Sequence, residues 1–154
     1  MSIFFSSADV NLSISHEQEL KSWIKDIITL HGKKMGKISY LFCSDDYLYD
    51  YNMEFLSHDT YTDIITFDYV KGDIVSGDII ISVDRVGDNA KKFGSSFEME
   101  FCRVVIHGVL HLLGFKDKTD HDATIMRQME EDSISRFSSL NILSVSRETN
   151  IINN

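Results

Sequence analysis

Residues 104–122 read VVIHGVLHLLGFKDKTDHD, and the rest of the chain is organised around them. His107 and His111 stand one helical turn apart, so on a helix both rings share a face and can grip one ion. The helix predicted to carry them, residues 97–113, is apolar on nearly every side: Phe97, Phe101, Val104, Val105, Ile106, Val109, Leu110, Leu112 and Leu113. A helix of that kind belongs in the middle of its domain. Two polar rings there need partners or a cavity, because burying them unpaired is costly. Gly108 costs the helix about 1 kcal/mol relative to alanine, which makes sense where something must approach the backbone closely. Gly114 supplies the left-handed residue that ends a helix, and the chain then turns through Lys116, Asp117 and Lys118. Two imidazoles on a rigid helix plus one loop ligand leave a fourth position open, as catalytic zinc sites do. In a chain with six histidines one such pair can arise by accident, but the buried apolar setting favours the metal.

Asp117 and His121 compete to be the third ligand. His121 is the softer donor and would complete a set of three histidines. Geometry favours Asp117, three residues past Gly114, where the chain folds back toward the histidine face. His121 falls instead in the first turn of the next helix, behind a Thr119 cap, so it is the alternative.

Composition bounds the class. A chain of 154 residues, 43% apolar and 25% charged, is one ordinary globular domain, residues 1–154, able to bury a core. The N-terminus MSIFFSSADV lacks the basic region of a signal peptide, and no apolar run reaches the length of a membrane span. Cys43 and Cys102 form no C-x-x-C and read as reduced core thiols, which fits the cytoplasm. A net charge of −9 argues against a protein that coats nucleic acid, though not against a local basic groove. The complete absence of proline has no explanation in the sequence.

Taken in order, residues 3–14 read as a strand or two. Ser15 with Gln18 forms a capping box opening a helix to about residue 31, on which Leu20, Trp23, Ile24, Ile27 and Ile28 repeat at helical spacing. A basic loop, residues 32–37, contains Lys33 and Lys34. Residues 38–43 read as a strand, and Ser44 caps a second helix through Leu48, Tyr51, Asn52 and Phe55. Residues 62–69 are a strand, Gly72 and Gly77 bracket a hairpin, and residues 78–83 form the next strand. Residues 84–93 are a short helix ended by Gly94. Ser95 with Glu98 caps the histidine helix, Thr119 caps a last helix to about residue 137, and the tail from about 141 is expected to fray. The order predicts an α+β domain, a four-stranded sheet packed with helices, with the histidine helix innermost.

These residues match a known pattern. His107 through Phe115, HGVLHLLGF, resembles the H-G-x-L-H-L-x-G-[YF]-D-H signature of the YbeY family. Asn52 through Phe67, NMEFLSHDTYTDIITF, resembles that family's N-x-x-[YW]-R-x-K-D-x-P-T-D-V-L-S-F, and Gly77-Asp78-Ile79 matches a strand between the two blocks. The resemblance spans roughly residues 38–130. It implies a zincin-like, YbeY-type fold with a mixed sheet, and a zinc-dependent endoribonuclease acting on single-stranded RNA in ribosomal RNA maturation and ribosome quality control. His107, His111 and Asp117 would be the metal-binding and catalytic residues. Asp117 falls on the last histidine of the signature, and aspartate oxygen is within zinc's repertoire. Leu56 stands where the family carries an arginine assigned to catalysis or RNA contact, and Tyr61 where it carries proline. His58, in place of a family lysine, with Lys33 and Lys34, could supply positive charge to RNA.

Two rivals are set beside this reading. A zincin-like metalloprotease carries H-E-x-x-H, whose glutamate is the general base, and here that position is Gly108. A non-catalytic ribosome-associated factor would keep the metal for stability alone.

Overall fold

The computed structural model describes residues 2–56 and 62–148. Its main sheet is mixed, with strand order β1-β3-β5-β4: β1 Ser2–Ser7, β3 Lys34–Cys43, β5 Ile74–Ser82 and β4 Ile64–Asp68. β3 runs parallel to both β1 and β5, while β4 closes the edge antiparallel to β5. A separate ladder pairs β2 Asn11–Ile14 with the late strand β6 Val145–Glu148.

One face of the sheet carries the main core. There α1 Glu17–Leu30, α3 Val83–Phe93, α4 Phe97–Leu112 and α5 Asp120–Ser135 share buried residues with alternate positions of the strands. The Tyr40 hydroxyl donates to the Val105 carbonyl at 2.9 Å, and Trp23 stacks on Phe137 with ring centres 4.8 Å apart. α2 Asp45–Leu56 covers part of the other face, its Leu48 clustered with Cys43, Ile65 and Ile80 of the strands. Central β5 is therefore apolar on both sides, Ile79, Ile80 and Ile81 in succession, as a strand buried on two faces must be.

Two glycines set how deeply α4 sits. A methyl group on Gly77 of β5 would lie 2.6 Å from the Phe67 carbonyl oxygen and 2.9 Å from Leu112 of α4. One turn back, a methyl on Gly108 of α4 would lie 3.0 Å from Ile79 and 3.1 Å from Ile64. Each element gives up a side chain where the other presents a large one. The close approach that Gly108 implied is therefore made by the sheet.

Several local expectations give way to longer-range contacts. Ser15 does not cap α1. Its hydroxyl accepts the Ser144 N–H at 2.6 Å, its own N–H donates to the Ser144 carbonyl, and His16, at φ 54°, begins the helix with no side-chain cap. The cap of α4 is Ser96 in place of Ser95, its hydroxyl accepting the Met99 N–H. β3 starts at Lys34, so the basic loop is shorter than expected, and Gly77 lies inside β5 rather than at a hairpin end. The tail does not fray at 141: Leu140–Ile142 make a 3-10 turn and β6 follows, while residues 149–154 lie outside the described residues.

Candidate metal centre

The site is assembled by the way α4 ends. Gly114 takes φ 101°, a backbone open to glycine, and lets the Phe115 N–H reach back to the Leu110 carbonyl at 3.0 Å. That turn aims the Phe115 carbonyl at the His111 ring and brings the following loop over the helix end. The His111 Nδ1–H donates to the Phe115 carbonyl at 3.0 Å. On the other side, α5 begins behind the predicted Thr119 cap, whose hydroxyl accepts the Asp122 N–H at 3.0 Å. α5 then lays Glu130 against α4, and the His107 Nδ1–H donates to its carboxylate at 2.5 Å.

Those two partners settle the protonation pattern of neutral rings. A carbonyl and a carboxylate both accept, so each Nδ1 carries the hydrogen and each Nε2 keeps a lone pair. The two Nε2 atoms face each other at 2.9 Å, with an Asp117 oxygen 3.4 Å from one and 3.5 Å from the other. Three electron-rich atoms converge on one point. They attract a proton or a cation, and two nitrogens with one carboxylate oxygen suit a divalent ion such as zinc. Among the described residues, His107, His111 and Asp117 form the group whose ligand atoms all lie within 4.8 Å of one another. Relative exposures of 18%, 24% and 48% leave this point open to solvent.

His121 is exposed on the first turn of α5 and stands outside that group. Lys33 is paired with Asp73 at 3.2 Å at the surface, and Lys34 is exposed at the first position of β3. His58 and the side chain of Leu56 lie outside the described residues.

Sequence reading missed the carboxylates behind the histidines. Glu130 is 5% exposed, and its second oxygen receives Arg103 at 3.4 Å, while Arg103 also pairs with buried Glu100 at 3.2 Å. The signal was present: Glu130 falls on the α5 stripe with Met126 and Ile134, where an unpaired charge would be expensive. Asp63, just before β4, adds a further carboxyl. Burial pushes it up, against the pull of nearby His107, and Glu130 and Asp117 push the same way as burial. For His107 burial opposes the charged ring, but the Glu130 hydrogen bond and charge, with Asp63 and Asp117, outweigh it and raise the ring's pKa. Burial likewise raises Glu100 despite Arg103. A cavity of about 300 Å³, lined in part by Tyr51, Phe67, Tyr69 and Asp78, opens on the sheet face that α2 covers. It holds none of these residues.

The model of the family described as endoribonuclease YbeY matches residues 5–138. The chain is similar to the endoribonuclease YbeY of Flavobacterium johnsoniae, 49% identical over 84% of this chain and 93% of that one. The corresponding protein of Bacteroides thetaiotaomicron is 41% identical over 88% and 98%. The solution structure of TM1509 from Thermotoga maritima superposes with a TM-score of 0.62 at 26% identity, covering 90% of this chain and 93% of that one. With a family model spanning most of its length and relatives this similar over nearly their whole length, the chain belongs to the endoribonuclease YbeY family.

Proposed function

We propose that the protein cleaves single-stranded RNA at one divalent ion, zinc by preference, held by His107, His111 and Asp117, in the maturation of ribosomal RNA. Family membership supports a metal-dependent endoribonuclease with a role in ribosomal RNA processing. The observation that carries the site is the convergence of the two Nε2 atoms and a carboxylate oxygen on one solvent-reachable point.

When bound, such an ion acidifies a water and polarises a phosphoryl oxygen. The protein's share is orientation. Glu130 and the Phe115 carbonyl hold the two rings in one tautomer, and Arg103 braces Glu130 from behind. Lys116 and Lys118 flank Asp117, and His31, two residues before Lys33, packs edge-on to Phe115 at 5.6 Å. These contacts support Lys33 and Lys34 as cations near the loop that carries Asp117, with His58 as a further candidate RNA contact. Asp117 is preferred to His121 as third ligand. The chain acts as one domain in the cytoplasm.

Gly108 speaks against the protease rival. It has no side chain to serve as base, and its bare face is packed on Ile79 and Ile64. The test is cleavage of a short single-stranded RNA by pure protein, beside a duplex of the same sequence and an unstructured peptide. Chelator-sensitive cutting of the single strand, lost in His107→Ala, is expected. Chelator-sensitive cutting of the peptide with no action on RNA would overturn the reading. Metal retention by both His107→Ala and His111→Ala would overturn the site.

A further inference from the structure

We propose that the exposed ring of Phe93, flanked by Lys92 and Arg127, is a docking point where a base of the single-stranded RNA stacks while the two cations take its phosphates. This rests on the RNA-cleaving reading above.

Phe93 ends α3 and is 56% exposed, a large apolar ring where water should be. Two cations from different helices lie over it: Lys92 Nζ at 5.6 Å from the ring centre and the Arg127 guanidinium at 6.0 Å. Lys91 is exposed beside them. In a chain of net charge −9, this is a local positive patch on an acidic body.

Arg127 is unusual among its kind. Arg85, Arg103, Arg136 and Arg147 each hold a carboxylate, whereas Arg127, among the described residues, pairs with none. Carboxylates are within helical reach, Asp88 four residues before Lys92 and Glu131 four after Arg127, yet neither is engaged in an ion pair. The cations sit on the ring instead. An aromatic face with uncommitted cations at its rim is the combination that binds single strands without reading sequence: every base has a face to stack, and every nucleotide carries a phosphate.

Position joins the patch to the metal centre. Arg127 stands three residues before Glu130 on α5, so the two are neighbours on one side of that helix, and Glu130 holds His107. A base stacked on Phe93 would lie beside Arg127 of α5, the helix that also presents Glu130 to His107.

The test uses the whole protein, a fluorescent single-stranded oligonucleotide and saturating chelator, so that binding is read without cleavage. Phe93→Ala should weaken binding on the order of tenfold, one lost base stack. Lys92→Ala with Arg127→Ala should lower the slope of log affinity against log salt by roughly 0.7 for each phosphate contact removed. Phe93→Trp should retain affinity and report RNA by quenching, because the one native tryptophan, Trp23, is 3% exposed. All these positions are at the surface, so a thermal melt checks that each variant folds. Inorganic polyphosphate serves as the control polyanion without bases. If it binds as RNA does and leaves the tryptophan unquenched, the patch is a plain anion surface and the proposal fails. It also fails if wild-type protein binds RNA and both Phe93→Ala and the Lys92→Ala, Arg127→Ala variant bind identically to it, which would leave the nuclease reading intact. Variant effects on binding in a protein that cuts no RNA would sink the nuclease reading and keep the patch. No RNA binding by wild type sinks both.

Discussion

His107 and Gly108 are consecutive residues on adjoining faces of one helix, and they face different media. Gly108 looks into a tight apolar contact, where a methyl group would lie 3.0 Å from Ile79 and 3.1 Å from Ile64. His107 looks into a cluster of carboxyl groups, Glu130, Asp117 and Asp63, braced by Arg103 and open to solvent at one edge. The first face fixes where the helix is and the second what it can hold. Because the two are joined by one peptide bond, an error of depth on the dry side becomes an error of ligand position on the wet side.

The largest expected effect comes from filling the dry side. Gly108→Glu recreates the H-E-x-x-H spelling but drives a charge into isoleucines. It should cost about 4 kcal/mol or more in a urea melt and yield no protease. Gly77→Val, pressed against a backbone carbonyl that cannot step aside, should cost about as much; near-wild-type stability in both would show that α4 is not seated by its glycines.

Emptying the wet side should leave the fold and remove the ion. His107→Ala and His111→Ala should each lose bound metal and activity while unfolding cooperatively. Asp117→Ala should lose metal where His121→Ala keeps it, and the reverse pattern would move the third ligand to α5.

A subtler break is Glu130→Gln, which keeps the shape but exchanges a charged acceptor for an amide. Metal affinity or activity should fall roughly 10- to 100-fold. An unchanged metal titration would mean that His107 keeps its orientation without that charge.

The smallest effect is one of sign. In chelator, folded His107, Asp63 and Glu100 each hold a proton more tightly than they would unfolded, so the stability these three groups contribute falls as pH rises. The His107 share is complete below its ordinary pKa of about 6.5 and disappears as pH climbs through the raised folded value. Protons and a divalent ion compete for the same lone pairs, so saturating zinc should reverse the trend. Melting temperatures at pH 6 and pH 8, with chelator and with zinc, check this. Parallel slopes would argue that the ion does not sit on His107.

The same comparison explains what could be read in the chain. The buried helix with both histidines on one face was legible because its evidence is local: two histidines at one spacing, an apolar surround and a glycine stop. That Asp117 lies beside the two rings was legible for the same reason, three residues beyond that stop. Glu130 was not, because its role depends on α5 folding back against α4, which no short window records. Ser15 shows the opposite error. A good local capping box lost to a partner far along the chain, Ser144, whose N–H takes the same hydroxyl. Gly108 was read correctly as a point of close approach, but the sheet that approaches it was not visible from the helix alone.

The β2–β6 ladder carries a consequence for the order of folding events. Ile14 pairs with Val145, Ser15 with Ser144, and the Trp23 indole N–H donates to the Ser133 carbonyl at 2.7 Å, contacts spanning more than a hundred residues of sequence. Their partners emerge more than a hundred residues later during synthesis, so a growing chain must hold α1 and β2 half-dressed until α5 and β6 appear. The parallel pairing of β1 with β3 and of β3 with β5 is also non-local, and such contacts slow a chain's search for its native state. Strand β2 therefore waits longest of all with an open edge, and it is the segment where a stalled or shortened nascent chain would stick to its neighbours.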